Sequence, residues 1–219
     1  MVNIKSQNKS QNSAARTRGR PPKGGLGFDD TRDALIQCGM ELLTEQGFSS
    51  TGIDQILKKV NVPKGSFYHY FENKEAYGYV VIEHYSSYFT HKLNKHLLNE
   101  DLPALQRLKL FMQDAMQGME RFDYKRGCLI GNLSQEFGCS HEHFREKLEA
   151  VFNDWKNIIA DCLKLAQQEK TLSSSEDCNK LAEFFWIGWE GAVMHAKLSR
   201  NNKPMELFSE QFFKLLPAS

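Results

Sequence analysis

No stretch of this 219-residue chain approaches the roughly 18 uninterrupted apolar residues of a membrane-spanning helix, so none is expected. The first twenty residues are polar and basic and lack the apolar segment of a secretory leader. Nothing reads as a strand, and there is no internal repeat. Cysteine is sparse and odd in number: Cys38, Cys128, Cys139, Cys162 and Cys178. Their spacings match no zinc pattern, so reduced thiols in the cytoplasm are the expected state. His141 and His143 stand two apart, which puts them on different faces of a helix, so no metal or other cofactor is expected. A net charge of only +1 says nothing by itself about nucleic acid.

What is present is unevenly spread. Residues 1–74 hold eleven Lys and Arg against seven Asp and Glu, whereas the remainder holds seventeen against twenty. The positive end is where a DNA backbone would be held. At 41% hydrophobic residues a core can be built, and the length suits a small domain followed by a medium one. Residues 1–27 carry six Lys and Arg, no acid, four Gly and two Pro, which reads as a flexible basic arm. Within it, Arg18-Gly19-Arg20-Pro21-Pro22 forms a thin cationic strip similar to the core of an AT-hook. Two readings stand: Arg18 and Arg20 enter a narrow A·T-rich minor groove, or the arm is a solvated tail that adds non-specific affinity.

From Asp29 the pattern turns helical. Asp29, Asp30 and Asp33 suit a first turn, Leu35, Ile36, Met40, Leu42 and Leu43 supply an apolar stripe, and Gly47 suits the end. A short helix follows near Ile53–Lys59, with Ser50 or Thr51 as candidate N-cap. Asn61-Val62 is a tight turn, and a third helix is predicted from Pro63 to Tyr70. Apolar steps of three and four then predict long helices over 75–98, 103–122, 142–169 and 177–200, with a short one near 204–216. The expected fold is all-α: a three-helix DNA-binding head over 28–75 and a larger helical domain over 76–219.

The string from Thr51 to Glu75 is the most specific feature. It contains Ile53, Ile56, Pro63-Lys64-Gly65-Ser66-Phe67-Tyr68-His69-Tyr70-Phe71 and Lys74-Glu75, and it closely resembles the DNA-binding signature of the TetR family. The resemblance is tight over about 28–76 and looser over the whole length. It implies that Lys64, Gly65 and Ser66 meet base edges from the first turn of a recognition helix, with Thr51, Tyr68, His69, Tyr70 and Lys74 contributing further contacts. Tyr68 and Tyr70 also admit a core-filling role. The family implies a homodimer on a near-palindromic operator, with recognition helices about one helical turn (~34–36 Å) apart. The run Phe184–Ala192, with Trp186, Gly188, Trp189 and Gly191, is a candidate for the dimer surface or for closing a pocket.

Arg126-Gly127-Cys128-Leu129-Ile130-Gly131-Asn132-Leu133-Ser134-Gln135-Glu136, taken with Pro63–Phe71 and Phe185–Gly191, is similar to the acrylate-responsive subgroup of the family. It is more distantly similar to N-ethylmaleimide-responsive members, in which the matching cysteine senses electrophiles. Those carry a lysine four residues further on, where this chain has Asn132, so a mechanism through that amine does not carry over. Lys125, Arg126 and a helix start at Gly127-Cys128 would each favour a thiolate at Cys128. The alternative is a small buried hydrophobe. A small-molecule effector is expected between the 103–122, 128–138 and 142–169 helices. Candidate walls are Met112, Met116, Met119, Tyr124, Trp155 and Trp186. A thiol enzyme is the competing class, and it lacks a base: no histidine or carboxylate points at Cys128 from sequence alone. An architectural DNA binder using the arm is the other.

Overall fold

The computed structural model describes residues 28–138 and 141–217. Among them are nine helices and no strand, as the apolar periodicity predicts. Helices α1 (Phe28–Gln46), α2 (Ile53–Val60) and α3 (Lys64–Tyr70) form a small head. The body comprises α4 (Lys74–Leu97), α5 (Ala104–Arg121), α6 (Leu129–Phe137), α7 (Glu142–Gln168), α8 (Cys178–Ser199) and α9 (Lys203–Leu215). No described helix is long and apolar enough to cross a membrane.

The head closes on aromatic and branched side chains. Ile56, Phe67 and Phe71 are buried, and Phe67 and Phe71 pack their rings 5.1 and 4.9 Å from Tyr77 of α4. The Tyr77 hydroxyl donates to the Leu35 carbonyl of α1 at 2.7 Å. That buried bond ties α4 to the head and satisfies a phenol that burial would otherwise penalise. Between α2 and α3, Asn61 takes the left-handed conformation (φ 59°) that asparagine tolerates well. Pro63 then caps α3 rather than opening it, one residue outside the expected start.

Gly47 ends α1 with φ 83°. Side chains strain at that angle, and a Cβ there would also overlap Glu136 of α6. Both reasons demand glycine. The Glu136 carboxylate accepts the backbone N–H groups of Phe48 and Ser49, each at 2.9 Å. Body and head are therefore joined by a charged side chain holding otherwise unpaired backbone donors. In the body, buried Arg107 donates to the carbonyls of Leu97 and Leu102, closing the turn between α4 and α5. Asn73 and Asp177 cap α4 and α8 through their side-chain oxygens.

Candidate functional site

The helix pair α2–α3 presents one solvent-facing surface. Lys64 and Gly65 are exposed at the start of α3, Ser66 is half-buried, and Tyr68 is 50% exposed. A Cβ on Gly65 would meet nothing within the chain, so no internal packing requires glycine there. His69 is exposed, while Tyr70 is half-buried against the core. Of the two tyrosines, Tyr68 keeps its face to solvent and Tyr70 is largely a packing residue. Lys64 lies 3.8 Å from Asp54 of α2, both well exposed, so that ion pair adds little.

Two expected contacts need correction. Thr51 is fully buried, and its hydroxyl donates to the Gly47 carbonyl at 2.6 Å. It pins the α1–α2 loop and cannot offer that side chain to DNA, nor does it cap α2, whose N-cap is Gly52. Lys74 does open α4, but its ammonium donates to the Phe48 carbonyl at 2.7 Å and lies 4.4 Å from the Phe48 ring centre. Burial holds its pKa below the usual lysine range. The amine is committed inside the head. Arg18 and Arg20 lie outside the described residues, as does Cys139.

A cavity of about 270 Å³ opens between head and body. Gln37, Met40, Glu41 and Thr44 of α1 form one wall. Tyr85, Tyr88, Phe89 and Lys92 of α4, Met119 and Phe122 at the end of α5, and Trp189, Glu190 and Val193 of α8 complete it with Arg126, Gly127 and Cys128. The expected location was wrong in one respect: α7 contributes no wall, and the first helix of the head does. Cys128, Arg126 and Met119 line the cavity as expected. Met112 and Trp155 are fully buried in close-packed core, with the Trp155 and Trp186 rings tilted against Phe89 at centroid distances of 4.4 and 6.2 Å. Met116 and Tyr124 pack on the core's edge, outside the cavity wall. Lys125 is exposed and paired with Asp123 at 3.2 Å.

Cys128 is the N-cap of α6, and its sulfur accepts the Gly131 N–H at 3.4 Å. The expected thiolate is not favoured. Burial, and then the nearby Glu190 carboxylate, push the thiol well above its ordinary pKa. The cations expected to offset this are engaged elsewhere. Arg126 donates to Glu45 at 2.8 Å, lies 3.6 Å from Glu41 and stacks over Phe122. Glu190 itself is raised to about 7, chiefly by burial, with its hydrogen bond to Cys128 acting in the other direction. Its carboxylate also lies over Gly131, where any Cβ would overlap it. Tyr85 lines the same cavity, and burial, then the nearby Cys128, raise its pKa.

Glu190 corrects the expectation that no carboxylate meets Cys128. The sequence does carry a signal for it: Glu190 is the lone acid in the apolar run Phe184–Val193 of α8. The two glycines of that run differ in role. Gly188 accommodates Phe208 of α9, while Gly191 faces open space. Trp186 and Trp189 are both buried, and the large apolar side chains facing outward from α8 are Phe184, Ile187, Met194 and Leu198.

A helix-turn-helix head on an all-helical body defines a DNA-binding transcriptional regulator of the TetR family, to which this chain belongs. Residues 35–76 match the model for bacterial regulatory proteins of the tetR family, and residues 104–212 match a tetracyclin repressor-like C-terminal domain. The transcriptional regulator AcuR of Cereibacter sphaeroides is 45% identical over 195 residues, covering 89% of each chain. The transcriptional repressor NemR of Escherichia coli is 28% identical over 177 residues, covering 81% of this chain and 89% of its own. A TetR regulatory protein of Rhodobacter sphaeroides superposes with a TM-score of 0.83 at 44% identity, over 85% of this chain and 99% of its own. The reduced form of E. coli NemR gives 0.79 at 27% identity, over 87% and 98%.

Proposed function

We propose that the chain is a homodimeric repressor, released from a near-palindromic operator when a small electrophile occupies the cavity and adds to Cys128. The observation that carries this reading is the shared wall: α1 of the head and Cys128 of the body face the same cavity. An occupant there touches the DNA-binding unit directly. Its class follows from the resemblance to acrylate-responsive members and from the apolar lining around a single thiol.

The route outward runs along α6. Cys128, Asn132 and Glu136 recur every four residues and so share one face. Asn132 donates to the Thr44 carbonyl at 2.9 Å, and Glu136 accepts from Phe48 and Ser49. Lys197 of α8 donates to the carbonyls of Thr44 and Glu45, each at 3.1 Å. A shift of α6 or α8 caused by an adduct would therefore move the end of α1. The effector must favour the released state by its differential affinity for the two arrangements. Tyr68, Lys64, Gly65, Ser66 and His69 then carry the operator contacts. The apolar row Phe184, Ile187, Gly191, Met194 and Leu198 repeats at three and four residues, which suits helix packing against a second copy.

The test is fluorescence anisotropy on labelled DNA from the protein's own upstream region, titrated with acrylate and with N-ethylmaleimide. Release of wild type but not of Cys128→Ser supports the covalent reading. Equal release of both leaves a non-covalent pocket, and no release of either removes this class of effector.

A further inference from the structure

We infer that Glu190 is the proton acceptor for Cys128, and that the pair forms an addition site for uncharged α,β-unsaturated carbonyl compounds. This rests on the reading of Cys128 as the sensing thiol. Three observations carry it. Both side chains face one cavity large enough for a small molecule. The Glu190 carboxyl sits beside the thiol: a Cβ on Gly131 would overlap it and would also touch Cys128, so the carboxyl reaches the first turn of α6 only because residue 131 has no Cβ. The surrounding cations are occupied: Arg126 by Glu41 and Glu45, Lys125 by Asp123, and Lys92 by Asp114 at 3.0 Å. The resting thiol is thus protonated, and attack requires its proton to leave as the new bond forms.

The step balances without an oxidant or a leaving group. The Cys128 proton passes to the Glu190 carboxylate as sulfur bonds to the β-carbon of the alkene. The π pair of the C=C bond moves onto the α-carbon and carbonyl as an enolate. The Glu190 carboxylic acid then returns the proton to the α-carbon, leaving a saturated thioether and a carboxylate. An electrophile bearing its own carboxylate would set a second negative charge beside Glu190 in its active, ionised form, so uncharged amides, esters and imides are the favoured class. The other ionisable groups lining the cavity are Glu41 on α1, Tyr85, Tyr88 and Lys92 on α4, and Arg126 ahead of α6. The lining residues from α5 and α9 add none.

The experiment follows adduct formation on Cys128 by intact mass, with N-ethylmaleimide and acrylamide as probes across a pH series. The wild-type rate is expected to rise through an inflection near 7 and then level off, following ionisation of Glu190. Glu190→Gln is expected to react at least about tenfold more slowly above that inflection, with Glu190→Asp restoring part of the rate. Equal or faster reaction of Glu190→Gln would overturn the inference, because the carboxylate would then only hold the thiol neutral; Cys128 would remain the sensor. Absence of any Cys128 adduct while free cysteine reacts would instead sink the sensing reading and this inference with it. Should Glu190→Gln fail to fold, the wild-type profile decides: a rate climbing steadily with no inflection near 7 overturns it. Acrylamide is expected to exceed acrylate about tenfold or more when each rate is normalised to free cysteine. Equal ratios would overturn the preference for uncharged electrophiles.

Discussion

Glu136 on α6 holds the backbone of Phe48 at the end of α1, with its carboxylate 2.9 Å from the Phe48 nitrogen. The neighbouring Ser49 N–H completes the clamp. Replacing Glu136 by Ala leaves both donors without their acceptor. The unfolding free energy is expected to fall by about 1–3 kcal/mol in denaturant titration. A loss too small to measure would mean that water serves these donors equally well.

Tyr68 and Tyr70 should separate in operator binding. Tyr68 is exposed on the recognition helix, and Tyr70 packs on the core. Tyr68→Phe is expected to weaken operator affinity by about 1 kcal/mol, through loss of a hydrogen bond to phosphate. Tyr70→Phe should leave affinity nearly unchanged. The reverse order in an anisotropy titration would exchange their roles.

The outward face of α8 predicts the oligomeric state. Ile187 and Leu198 are 70% and 80% exposed on this chain alone. Ile187→Glu or Leu198→Glu should yield monomers in sedimentation velocity and abolish tight binding to a two-half-site operator, while helicity is retained. A dimer that persists in both variants would place the interface elsewhere.

Glu190 should make stability depend on pH. Its folded pKa is raised to about 7 from 4.5, so the folded state binds more protons than the unfolded state between those values. Stability should therefore be greatest below about 4.5 with respect to this group and be lost as pH rises through 7. Glu190→Gln removes that penalty and should stabilise the protein above pH 7 by up to about 3 kcal/mol, less whatever the altered bond to Cys128 costs. The gain should shrink as pH falls toward 5. An equal difference at both ends of the series would count against the raised carboxyl.

How much of this was legible in the sequence follows from what each pattern encodes. Apolar spacing shows which side of a helix is inward, so α4, α5, α7 and α8 lie within a residue or two of their expected spans. It does not show where inward side chains fail to fill space. Trp155 and Met112 looked like pocket walls and are tightly packed, whereas Gln37, Met40 and Glu41, read only as part of the head, wall the cavity. Local sequence placed Cys128 at a helix start. It could not reveal that α8 returns from some sixty residues away to set Glu190 against the thiol, reversing the expected charge environment. Thr51 and Lys74 fit a DNA-binding pattern by position, but their polar atoms turn inward to carbonyls of the α1–α2 loop.

The most direct test of the account reads modification and DNA release on one sample. Operator-bound protein is titrated with N-ethylmaleimide from sub-stoichiometric amounts to excess, and at each step the fraction of Cys128 carrying the adduct is compared with the fraction of complex released. The account predicts that release rises with the Cys128 adduct and is absent when only other cysteines are modified. Full Cys128 modification with the operator still bound would contradict it.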